Sequence, residues 1–207
     1  ALSLGSRLPR DGAFGVLPLV SGGFGNTADL PAPFGHLEPE EFNTPSLVEA
    51  ADTGPFFHNH TVKTLEESIA FYGTQPFQTS IAGLVVPVQI SADPRNPEVQ
   101  GIAVFLRVLN ALENVRSAIN IAERGRTMPN VADVRDLARP ALAESIDAIE
   151  VLSEGALARN VESSILSARA NLMAARALFQ WARIIQSGAA IRNVLEQATR
   201  NLRAARS

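Results

Sequence analysis

A chain of 207 residues with 46% hydrophobic content is long enough for one generous domain or two small ones, each burying a core. Its formal net charge of -3, with acids and bases interspersed, leaves no basic block to track a phosphate backbone or an anionic membrane, so nucleic acid is not an expected partner. No apolar run reaches the ~20 residues of a membrane helix, and the absence of cysteine rules out disulfides, thiol nucleophiles, iron–sulfur ligation and thioether bonds.

The N-terminus lacks the basic, apolar and small-residue succession of a leader, so any export signal is expected to have been removed or to lie upstream. Residues 1–97 hold 11 of the 13 prolines and residues 1–101 hold 11 of the 14 glycines, which punctuates this half too often for long helices. Gly22-Gly23-Phe24-Gly25-Asn26 and Pro31-Ala32-Pro33-Phe34-Gly35 interleave aromatics with turn residues, where a flexible linker would be richer in serine. These loops are expected to pack, with Phe14, Phe24, Phe34 and Phe42 as anchors in the protein's own core. One short helix is predicted from Thr64, because Thr64-x-x-Glu67 is a capping box; its apolar face is Leu65, Ile69 and Tyr72. Residues 81–90 are β-branched and apolar, but Pro87 removes a ladder donor, so at most a short edge strand is expected there.

From Asn96 the pattern changes. Asn96 suits an N-cap and Pro97 the first helical position, and Ile102, Phe105, Leu106, Leu109, Leu112 and Ile119 recur at three- and four-residue spacing, predicting a long amphipathic helix to near Gly125. A second helix is predicted from Asn130 to Glu154 on Val134, Leu137, Leu142, Ile146 and Ile149, with Pro140 kinking or restarting it and Gly155 as the stop. A third begins near Asn160 through Val161, Ile165, Ala168, Leu172, Ala175 and Phe179. A fourth covers 189–205 through Ile191, Val194, Leu195 and Leu202, with Ser187-Gly188 separating or bending the last two. The expected fold is mainly α: a loop-rich segment with one short helix over residues 1–95, then a bundle of three to four helices over residues 96–207.

Two of the three histidines sit in Pro55-Phe56-Phe57-His58-Asn59-His60. In an extended segment His58 and His60 project to one side and could share a metal. Two imidazoles without further ligands make an incomplete site, so one structural and one exposed histidine is the competing reading. His36 would have to arrive from a distant loop. Glu38, Glu40, Glu41, Glu49, Asp52, Glu66 and Glu67 show no spacing that singles out an acid–base couple; surface charge and helix capping account for them. There is no Gly-x-Ser-x-Gly elbow and no phosphate-binding glycine loop ahead of Lys-Ser or Lys-Thr. Trp181, Phe179 and Met173 lie near helical spacing and read as core rather than a ligand box.

Three stretches occur in a telling order: Phe42-Asn43-Thr44-Pro45-Ser46-Leu47, then Thr53-Gly54-Pro55-Phe56-Phe57-His58-Asn59, then Thr64-Leu65-Glu66-Glu67-Ser68-Ile69-Ala70-Phe71-Tyr72. Together they resemble the C-terminal haem-domain segment of bacterial dihaem cytochrome c peroxidases. Residues 96–112, with Val104-Phe105-Leu106-Arg107-Val108-Leu109-Asn110, are similar to the closing helix of that domain, so the resemblance covers about residues 40–110. It implies that the loop-rich segment is cytochrome c-like and lines a haem c with Tyr72, His58, Phe57 and Pro45. Tyr72 falls where many members place an iron-ligating methionine, and tyrosine there resembles the MauG-like subset. That makes Tyr72 the candidate haem-iron ligand, one that favours ferric iron; a tyrosine simply buried on the helix's apolar face is the other reading. His60 is a weaker metal candidate, and Asn59-His60 replace the family's usual Asp-Gly.

The departure from the family is the missing Cys-x-x-Cys-His, so haem c is not attachable covalently through this chain. The resemblance puts that motif on another segment, shortly before residue 1, or else makes this a relative that has lost the cofactor. What it implies is the C-terminal portion of a periplasmic or otherwise exported protein of peroxide-dependent oxidation or electron transfer. Its partners would be a haem-bearing segment or chain and a redox protein, with no membrane span, and an oligomer is compatible. The alternative is a haem-free protein-interaction or scaffold module derived from that family.

Overall fold

A computed structural model of the chain describes residues 47, 50–51, 53–57, 60–79, 87–159 and 162–206. The expected anchors Phe14, Phe24, Phe34 and Phe42, together with His36, Pro45, His58 and Val161, lie outside the described residues. The chain falls into two compact units, Ala1–Ala103 and Val104–Ser207. Among the described residues regular structure is helical, apart from an isolated antiparallel bridge between Phe56 and Val62. Of the expected edge strand only residues 87–90 are described, and they form no strand.

In the first unit, helix α1 (Leu65–Phe71) starts where the capping box requires. Thr64 Oγ1 accepts from the Glu67 N–H at 3.2 Å, and Glu67 Oε2 accepts from the N–H groups of Thr64 and Lys63, each at 3.2 Å. Leu65, Ile69, Ala70 and Phe71 are buried. The helix ends at Tyr72, and after Gly73 a single turn, α2 (Gln75–Gln78), begins with Pro76 in its first turn, where a missing N–H costs nothing. Gly73 is fixed by a close approach: a Cβ there would collide with the Ile90 carbonyl oxygen and lie 2.6 Å from the Ser91 carbonyl carbon. Asn96 Oδ1 then accepts from the Glu98 N–H at 2.9 Å, and α3 (Pro97–Thr127) follows.

In the second unit the remainder of α3 is joined by α4 (Val131–Val151), a 3-10 turn (Leu157–Arg159), α5 (Ser163–Ala182) and α6 (Gly188–Arg206). Asn130 caps α4 by accepting from Ala132 N–H. Three arginines tie the corners and show that neighbours run antiparallel. Arg135, early in α4, donates to Ile185 O at 3.0 Å and Gln186 Oε1 at 2.9 Å, just beyond α5. Arg169, early in α5, donates to the carbonyls of Leu152 and Leu157. Arg192, early in α6, donates to Met128 O at 2.7 Å, just beyond α3. The ion pairs Arg126–Glu196 and Arg203–Glu123 continue the α3–α6 seam. Leu142, Ile149, Leu157, Leu172, Phe179, Ile191, Leu195 and Leu202 form the core, with alanines at 111, 118, 122, 138, 141, 175, 182 and 198 where backbones approach.

Two expectations about these helices change. Ile102, Phe105 and Leu112 do not face the interior; they are 37%, 62% and 39% exposed. Leu106 and Ile119 are buried as expected, and the rest of the buried side of α3 is Val99, Ala103, Arg107, Asn110, Ala111, Asn114, Val115, Ala118 and Ala122. Helix α4 passes through Pro140 without restarting, since Pro140 and Asp136, whose carbonyl loses its usual donor, are both exposed and water can serve that oxygen.

Candidate functional site

The residues singled out for chemistry gather around the turn between residues 54 and 64 and the end of α1. Phe56 N–H donates to Val62 O at 2.7 Å, pinching off a short loop, and His60 N–H donates to Phe57 O at 3.0 Å inside it. Phe57 and His60 both hold a left-handed backbone, φ 63° and 55°, which costs a non-glycine residue of order 1 kcal/mol or more each. His60 is therefore not in the extended backbone on which a shared site with His58 was expected, and His58 itself lies outside the described residues. Its exposed ring turns back so that Nδ1 lies 3.3 Å from Pro55 O. Among the described residues no group of three or more His, Cys, Asp or Glu side chains is placed to hold a metal.

The left-handed turn at Phe57 places its ring on α1. The Phe57 and Phe71 centroids are 5.1 Å apart, Phe71 and Tyr72 5.7 Å, Phe71 and Phe77 5.9 Å, and Tyr72 and Phe77 5.1 Å, every pair edge to face. Phe71 and Phe77 are buried, while Phe57, Tyr72 and Val88 close the cluster as partly buried members. Tyr72 thus caps α1 with its ring at the rim of an aromatic patch. Gln78 Nε2 fixes its backbone, donating to Tyr72 O at 2.6 Å and Val88 O at 2.7 Å. Of the expected lining residues, the structure brings Phe57 and Tyr72 into one cluster and leaves His60 outside it; His58 and Pro45 are outside the described residues. Phe71, Phe77, Gln78 and Gly73, which do most to position Tyr72, were not foreseen. The density of aromatics between residues 56 and 77 was a signal for Phe71 and Phe77; nothing in the sequence singled out Gly73 or Gln78.

What the cluster offers at its edge is the partly buried rings of Phe57 and Tyr72 over the buried Phe71 and Phe77, and the sequence has no thiol to hold a macrocycle covalently.

Comparison with known proteins gives a local relationship. The chain is 51% identical over 43 residues to the cytochrome-c peroxidase IdrP1 of Denitromonas iodatirespirans, a match covering 19% of this chain and 11% of the peroxidase. At the family level, then, one stretch of this protein is cytochrome c peroxidase-like, and the chain spans about a tenth of the curated relative's length. No family model matches the chain, and no solved structure does. Among the described residues no helix is long and apolar enough to cross a membrane.

Proposed function

We propose that this chain contributes one wall of a haem pocket in a MauG-like, dihaem cytochrome c peroxidase-type redox protein, the complete protein carrying out peroxide-dependent oxidation or electron transfer in the periplasm or another exported compartment. The local identity to a cytochrome-c peroxidase carries the reading. The half-buried Tyr72 at the rim of an aromatic patch supports it. Tyr72 is the residue that would meet the iron, Phe57 would pack beside the macrocycle, and His58 and Pro45 complete the lining by resemblance. When bound, the haem supplies the redox centre, attached through a Cys-x-x-Cys-His motif on another segment or chain. The role of this chain would be to shield the haem edge with Phe57, backed by the buried Phe71 and Phe77, and to supply the Tyr72 phenol, an oxygen donor that stabilises ferric over ferrous iron.

A haem-free interaction module derived from the same family is the second reading, favoured by one observation: the four rings already satisfy one another edge to face. Visible absorption and intact mass of the natively purified protein separate the two. A Soret band together with a cysteine-bearing segment or chain is expected, and Tyr72→Phe should then shift the ferric spectrum while leaving the haem content unchanged. A colourless single chain would overturn the haem-pocket reading in favour of the module.

A further inference from the structure

Helix α5 is apolar on two opposite sides. Leu172, Ala175, Phe179 and Ala182 point into the bundle. On the far side Leu166, Met173 and Trp181 are 47%, 54% and 58% exposed, and Ile184, just past the helix end, is 70% exposed. Sequence reading assigns Trp181, Met173 and Phe179 alike to the core; only Phe179 is there. Ala170 and Ala177, also exposed, fill the gaps in the outer stripe. Leu166, Ala170, Met173 and Ala177 follow the alternating four- and three-residue spacing of a helix–helix seam, and the two alanines let a second backbone come close. A helix apolar all round belongs in an interior, so the outer stripe calls for a cover.

The charges beside the stripe say what kind. Arg169, Arg176 and Arg183 recur every seven residues along one flank, while Ser167, Ala174 and Trp181 make the other flank uncharged. Arg169 is turned back onto the carbonyls of Leu152 and Leu157. Arg176 and Arg183 are exposed and make no ion pair with any described residue. A second copy of α5 fits poorly. Antiparallel pairing brings like flanks together, arginine against arginine, and parallel pairing offers those arginines only Ser167, Ala174 and Trp181. A lipid surface would be served by cations on both flanks and gains nothing from small residues seven apart.

We propose that the outer face of α5 docks an amphipathic helix of a partner protein, one whose apolar seam is flanked by Asp or Glu at seven-residue spacing opposite Arg176 and Arg183.

Trp181 is the sole tryptophan and sits at the edge of this face, so its emission reports docking directly. The full chain is titrated with a synthetic helical peptide carrying a leucine seam flanked by glutamate, and with its twin flanked by lysine. The expected result is a blue shift with the glutamate peptide, binding about tenfold tighter than the lysine twin, weakened by salt, and a reversed preference in the Arg176→Glu/Arg183→Glu variant. The circular dichroism of that variant checks its folding, and the two peptides test the wild-type chain without it. Equal responses to both peptides, or none, would overturn the proposal. So would a blue shift and doubled sedimentation mass of the protein alone, which would make the cover a second copy. A shift seen only with phosphatidylserine vesicles would make it a membrane.

Discussion

The side-chain amide of Gln78 donates to the backbone carbonyl of Tyr72 at 2.6 Å, and its second N–H reaches Val88 O at 2.7 Å. One amide thus joins the end of α1, the α2 turn and the segment that returns over the aromatic cluster. Gln78→Leu keeps the bulk and removes both donors, leaving two partly buried carbonyls unserved. Denaturant unfolding should show a loss of about 2 kcal/mol. Gln78→Glu should be worse at neutral pH, because a carboxylate faces two carbonyl oxygens. The fold then disfavours the charged form and raises the acid's pKa above its unfolded value, so the penalty is present above that folded pKa and fades as pH falls. A Gln78→Leu variant as stable as the wild type would show that the amide bonds contribute little, and equal stability of the two variants at pH 7 would show that the carboxylate carries no added penalty.

Gly73 makes a second hold on the same segment, through backbone contact rather than a hydrogen bond. Gly73→Ala drives a methyl group against the Ile90 carbonyl, and since both sides are main chain, residues 90–92 must move. We expect a loss of about 2 kcal/mol or more. Faster amide hydrogen exchange around Tyr72 and residues 88–92 should accompany it, with bundle protection unchanged.

Asn114 offers a gain. It is 5% exposed on α3, and its Nδ2 has no hydrogen-bond partner among the described residues. A buried donor left unmade costs about 1 kcal/mol or more, so Asn114→Leu, close in volume, should raise the melting temperature by a few degrees. A fall would mean that the amide oxygen does more for stability than the idle nitrogen costs.

The two apolar sides of α5 should separate cleanly by truncation. Phe179 is fully buried, and Phe179→Ala should cost about 4 kcal/mol as a cavity opens between α4, α5 and α6. Met173→Ala, on the exposed side, should change thermal stability by no more than about 0.5 kcal/mol.

Thr64-x-x-Glu67 was legible because a capping box is a local device, its bonds made within four residues. So were the helix starts at Asn96 and Asn130, for the same reason, while Ser187-Gly188 left a break or a bend open and the structure has a break. Which side of α3 is buried was not. Hydrophobic periodicity weights Ile102, Phe105 and Leu112 by size, whereas the buried side also takes in Ala103, Asn110, Ala111, Asn114, Ala118 and Ala122, which a size-weighted pattern passes over. On α5, apolar residues occupy two sides, and periodicity alone cannot say which faces inward. At the candidate site the prominence of Phe57 and Tyr72 was readable from their motifs. Their support was not: the left-handed turn at Phe57 is a conformation no sequence rule assigns to phenylalanine, and the Gln78 bridge spans ten residues to Val88.

A bundle lined with alanine has a weakness that bulky cores lack, since smooth small-residue ridges lose little when one helix slides a turn along its neighbour. The arginines at positions 135, 169 and 192 answer it. Each reaches from the beginning of one helix to carbonyls just past the end of another, and a planar fork can serve two such oxygens only at one axial offset. A slip of about 5 Å, one helical turn, would strand the guanidinium and the chain-end carbonyls together. These clasps act as index marks: they set how far along each other the helices stand, a quantity that apolar packing of this kind leaves nearly free.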